Sequence, residues 1–173
     1  LAIKKKDYAR AFVLTERARS QPTESTLTSS EGALGEIQNA LAFDEALLML
    51  NQFDNELAVW LIRRDGTSVV TRPVTRRIAE TLVARQQAEI RHEAIRPDAS
   101  ADLFNEIVRS AQHRLRGIRR LTIVPDTPYH DVAFAALWDA SSGRFLIENV
   151  TLSTARSASA HLATASPQRP TSA

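Results

Sequence analysis

The 173 residues fit one ordinary domain with a real core, and 43% hydrophobic with 24% charged residues is a globular balance, neither disordered nor membrane-spanning. Twenty-two Lys and Arg stand against 20 Asp and Glu, a net charge of +2, so no general polyanion binding and no nucleic-acid partner is expected. Cysteine is absent, which excludes disulfides, thiolate metal sites and a cysteine nucleophile from these residues.

No apolar run approaches the roughly 20 residues of a membrane helix, and LAIKKKDYAR lacks the order of a signal peptide, so a cytoplasmic location is the default expectation and no membrane partner is expected. Opening on Leu1 and closing on SPQRPTSA, the sequence reads as a piece of something longer.

In KKKDYARAFVLTERARS the residues Tyr8, Ala11, Phe12, Thr15 and Ala18 recur at steps of three or four and predict a first helix within 1–20. Pro, Ser, Thr and Gly crowd residues 21–34, which read as a linker and a domain boundary. A short helical patch around GEIQNAL follows.

EALLMLNQF and ELAVWLIRR then read as strands separated by the turn formers Asp54 and Asn55. Asp65-Gly66 supplies a tight hairpin into a third strand, which Pro73 ends because it cannot donate to a ladder. Thr75 to His92 turns helical, with Ile78 and Leu82 one turn apart. A further helix, capped by Asp98 or Ser100, carries Phe104, Ile107, Val108, Ala111 and Leu115 on one face, with Gly117 as its C-cap. LTIV reads as a buried strand stopped at Pro125 and Asp126, so the fold class expected is α/β. FAALWDA reads as a short helix or irregular segment, SSGR as a turn and FLIENVTLS as one or two strands. The last stretch, ARSASAHLATASPQRPTSA, reads as a polar linker.

Asp126, His130 and Asp131 follow a strand, the place where α/β folds hold polar groups, and His130 could serve as a general base oriented by either carboxylate. No nucleophile accompanies them, so a turn cap and a backbone hydrogen bond are the preferred reading. Ser153, Ser157 and Ser159 lack the Gly-x-Ser-x-Gly crowding of a nucleophile elbow. HEAIR at 92–96 begins like a zinc-protease motif, but Arg96 stands where the second His is needed, and His113, His130 and His161 have no ligand spacing. The five glycines are isolated, so neither a metal nor a nucleotide cofactor is expected. Arg109, Arg114, Arg116, Arg119 and Arg120 read as a solvated basic helix end.

The order of segments resembles the CHAT domain, the caspase-like domain associated with tetratricopeptide repeats. Onto that family's pattern fall Ile123, Val124, Pro125, Asp126, Pro128 and His130, then Phe134, Ala135, Ala136 and Leu137, and later Gly143, Leu146, Ile147, Glu148, Ser157 and Ser159. Thr127, Tyr129 and Ala133 depart from its usual Gly, Leu and Pro. The resemblance implies a caspase-like α/β fold whose amino-terminal part spans residues 35–160, a preceding repeat helix in 1–20, and a polar tail at 161–173. It implies a cysteine-peptidase His and Cys in a second half of the domain. His161 in HLATA lacks the His-Gly context and takes no catalytic role, so no catalytic residue is assigned. The expected function is therefore the scaffold half of a candidate cysteine peptidase, inactive alone, with the remainder of its parent chain and peptides or proteins as partners. The alternative is a non-catalytic interaction module linked to repeats.

Overall fold

The computed structural model describes residues 12–16, 32–92 and 97–165. Residues 12–16 are helical. The elements that follow are α1 (Ala33–Ala40), β1 (Glu45–Gln52), β2 (Leu57–Arg63), β3 (Gly66–Arg72), α2 (Arg76–Arg91), α3 (Asp98–Ile107), a 3-10 segment (Arg109–Leu115) and β4 (Arg120–Val124). Short 3-10 turns at Tyr129–Asp131 and Phe134–Ala136 lead to β5 (Trp138–Asp139), β6 (Arg144–Phe145), a third such turn at Leu146–Glu148, β7 (Thr151–Thr154) and α4 (Ala158–Ala165). The remaining parts of the expected 1–20 helix, the 21–34 linker, HEAIR and the 161–173 tail lie outside the described residues.

The central sheet runs β3-β2-β1-β4-β7, with β1, β4 and β7 parallel and the two hairpin strands antiparallel. β1 and β2 are apolar at nearly every position because both faces of the sheet are covered. Alternation divides them: Leu48, Leu50, Val59 and Leu61 face a core with α2, α3 and the 125–137 loop. Leu47, Met49, Ala58, Trp60 and Ile62 face a second core with Phe12, α1 and Ala158. The fold is thus α/β as expected, in three layers. β7 stands at the edge, largely exposed.

Four expectations change. The helix expected to run on past Ile107 tightens into the 3-10 segment, where Ala111 N–H donates to Val108 O at 2.9 Å. Its start is capped neither by Asp98 nor by Ser100. The Glu89 carboxylate from the end of α2 accepts from the N–H groups of Ala99 at 2.6 Å and Ser100 at 3.2 Å. On α2 the buried face runs through Ala79, Val83 and Gln86, one step round from Ile78, which is 49% exposed. Within the stretch read as a polar linker, residues 158–165 form α4, whose Ala158 and Ser159 are buried.

Candidate functional site

The loop after β4 sits at the carboxyl ends of three parallel strands, where α/β sheets place their ligands. Asp126 Oδ2 accepts from the Gln52 N–H at 3.0 Å, tying the end of β1 to the loop, and Oδ1 accepts from the N–H of Thr127 at 2.9 Å. Gln52, itself buried, donates through Nε2 to the carbonyls of Phe53, Glu56 and Val74, and its Oε1 accepts from the Tyr129 hydroxyl at 3.0 Å. Burial first, then the nearby Glu106 and Asp126 carboxylates, pushes the Tyr129 phenol above its ordinary pKa, so it stays a neutral donor.

Helix α2 fastens the same loop from beside it. Arg76 donates to Thr127 O at 3.2 Å, and Gln87 donates to Asp131 O. Gln86, wholly buried, accepts from Ala133 N–H at 3.0 Å and donates to Ala133 O and Ser100 Oγ. The Thr127-Pro128 peptide is cis.

His130 makes no hydrogen bond to Asp126 or Asp131 among the described residues. It is exposed, on the wall of a pocket of about 250 Å³ shared with Pro125, Val132, Phe134, Thr154, Ala155 and Arg156. The three serines have structural partners. Ser153 Oγ lies 2.8 Å from Thr122 Oγ1, Ser157 Oγ accepts from Ala160 N–H at 3.0 Å, and Ser159 Oγ donates to Glu16 at 2.9 Å. Among the described residues these hydrogen bonds hold a loop and the elements beside it, and none of them joins His130 to a serine.

The basic helix end divides. Arg109 Nη2 donates to Asp139 Oδ1 at 2.9 Å, while Arg120 pairs with Asp44 and Glu45. Asp139 is 2% exposed and also accepts from Ser141, Ser142 and Gln112. Burial alone would raise its carboxyl; the hydrogen bonds from Ser141, Ser142 and Gln112 outweigh that and hold it below the ordinary range. Because residues three apart eclipse in 3-10 winding, Arg109 and Gln112 reach the same carboxylate. His161 lies 3.5 Å from Thr122 Oγ1, and its burial lowers its pKa against an opposing pull from Glu45. Among the described residues no group of His, Cys, Asp and Glu could hold a metal ion, and no helix is long and apolar enough to cross a membrane.

The scaffold gives a structural role to several residues of the pattern singled out in sequence, although Ala135 and Ile147 of that pattern are exposed. Phe134, Leu137 and Leu146 are buried plugs, and Glu148 Oε2 accepts from Phe145 N–H at 2.6 Å to close the turn before β7. Gly143 sits at φ +65°, a conformation that suits glycine, in the β5–β6 turn. The family model for the CHAT domain matches residues 72–173, more than half of the chain. The chain belongs to the CHAT domain family. No curated protein and no solved structure matches it. The CHAT match includes α4 and residues 161–173, and leaves outside it β1 and β2, which supply most of the sheet's core.

Sequence reasoning missed Gln52, Gln86, Asp139 and Glu16 as organising residues. A signal existed for two of them: Gln52 ends a strand whose positions 46–50 are all apolar, and Gln86 continues the 79, 83 spacing of a buried helix face. Glu16 acts across 142 residues and the Arg109 contact of Asp139 across 30, which no local pattern reports, whereas the bonds from Ser141 and Ser142 to Asp139 are local.

Proposed function

We propose that this chain is the scaffold half of a caspase-like CHAT domain whose parent protein is a candidate cysteine peptidase, and that the chain alone does not cleave peptides. The observation that carries this reading is the edge position of β7, which among the described residues pairs with β4 alone. The Thr151 and Ala155 N–H groups donate inward, to Arg119 O and Ile123 O. The alternate donors, on Leu152 and Thr154, therefore point away from β4, ready for another parallel strand. Strands of the parent paired there would bring their own carboxyl ends, and a His/Cys dyad on them, alongside the loop that carries His130.

The absence of cysteine supports the division of labour, since a thiolate nucleophile has to come from elsewhere in the parent. On this reading the partner is the remainder of the parent chain, residues 1–20 are the last helix of a repeat array, and the setting is cytoplasmic. Peptide cleavage by the parent, lost on replacing the cysteine of its second half and absent from this chain alone, is the expected result. A parent that binds a protein partner yet cleaves nothing would replace this reading with that of an interaction module.

A further inference from the structure

Glu16 is 3% exposed, and nothing in the reading above uses it. Its carboxylate reaches the first turn of α4, 142 residues on. Oε1 accepts from Ala158 N–H at 3.1 Å, and Oε2 accepts from Ser159 N–H at 3.1 Å and Ser159 Oγ at 2.9 Å. Ser157 Oγ takes the next amide, Ala160, and the helical ladder begins with His161 N–H to Ser157 O at 3.2 Å. The first N–H groups of α4, which no helix satisfies internally, are thus divided between its own Ser157 and a side chain from the opposite end of the chain. α4 has no acidic residue in its own first turn, so Glu16 is the negative charge at the positive end of its dipole.

Four residues before Glu16, on the same face of the helix, Phe12 is wholly buried. Its ring meets Trp60 edge-on at 6.2 Å between centroids, in the apolar cluster that includes Met49 and Ile62. Two unlike anchors, an aromatic plug and a carboxylate, therefore hold the helical segment, and it contributes no strand to the sheet. The sequence between it and α1 is the polar Pro, Ser, Thr and Gly stretch.

We infer that the sheet face around Trp60 and the first turn of α4 form a docking surface for an amphipathic helix that carries an aromatic residue and a carboxylate one turn apart. Residues 12–16 occupy it as a releasable ligand tethered in the same chain. Release removes the Glu16 acceptors from α4 and loosens the Ala155–Ser157 junction beside β7. The N-terminal helix and the carboxyl rim of the sheet are thereby coupled. None of this depends on the peptidase reading.

Amide exchange measured by NMR on the full chain tests it. Phe12→Ala touches neither amide, yet should lower protection of Ala158 and Ser159 about tenfold, as Glu16→Ala does, while β1 and β2 amides stay within about twofold. A synthetic peptide of residues 5–20 added to the chain carrying both Phe12→Ala and Glu16→Ala should restore that protection, and the same peptide with Glu16→Gln should not. Unchanged Ala158 and Ser159 protection in Phe12→Ala would reduce the contact to a local cap and overturn the coupling. Loss of protection throughout β1 and β2 in either variant would overturn release, because the segment would then belong to the cooperative core.

Discussion

Tyr129 and Asp139 show what single polar groups do when buried in this fold. The Tyr129 hydroxyl is the partner of Gln52 Oε1, so Tyr129→Phe leaves an amide oxygen unsatisfied in the core. A loss of about 1–3 kcal/mol in urea unfolding is expected, with little change in the denaturant slope. Asp139 carries a pH signature. Its folded pKa is below the ordinary 3.8, so its contribution is fully present above that value and is lost as the pH falls below it. Asp139→Asn should flatten the fall of Tm between about pH 4.5 and 2.5 relative to the parent sequence. His161 acts in a higher window. Its folded pKa is lowered from 6.5, so the folded state resists protonation and stability declines as the pH drops below about 6.5. Thermal melts from pH 7.5 to 5.5 should show a smaller decline in His161→Gln.

Among elements, α3 is the clearest case of structure set by tertiary contacts where local signals pointed elsewhere. Asp98 and Ser100 both carry cap chemistry, yet Ser100 is buried against Gln86 and the cap comes from Glu89 of the preceding helix. Glu89→Ala should cost about 1–2 kcal/mol, measurable by chemical denaturation, whereas Asp98→Ala should change stability by less than about 0.5 kcal/mol. The strands were legible in the sequence for the opposite reason. EALLMLNQ and LAVWLIR are apolar on both faces and Pro73 follows the last residue of β3, so local pattern and tertiary environment agree there. The hairpin turn instead falls one residue earlier than Asp65-Gly66, on Arg64 and Asp65, because Arg63 pairs with Gly66. The 125–137 loop was legible as a family signature but not as a network. Its anchors, Gln52, Arg76 and Gln86, are polar residues on other elements, and their roles exist only once those elements pack.

At the scale of the whole molecule, the sheet ends in β3 on one side and β7 on the other, and among the described residues neither edge carries a further strand. β3 is half covered, with Gln38 of α1 donating to Thr67, while β7 offers the backbone donors of Leu152 and Thr154 to whatever lies beside it. An unpaired parallel edge is a template for another strand, and without one the chain has a route to self-association. The inward and outward alternation of β7 gives a clean way to test this. Proline at position 154 removes an outward donor and leaves the inward bonds from Thr151 and Ala155 intact, so it is tolerated as edge-strand prolines are. Sedimentation of the chain at about 10–100 μM should show concentration-dependent association that Thr154→Pro reduces, with Tm changed by only a few degrees. Proline at 153 removes an inward bond to β4 and should instead destabilise the fold. Equal association of the parent sequence and Thr154→Pro would mean that another surface holds the copies together. The β7 edge would then lose its standing as the place where further strands of the domain add.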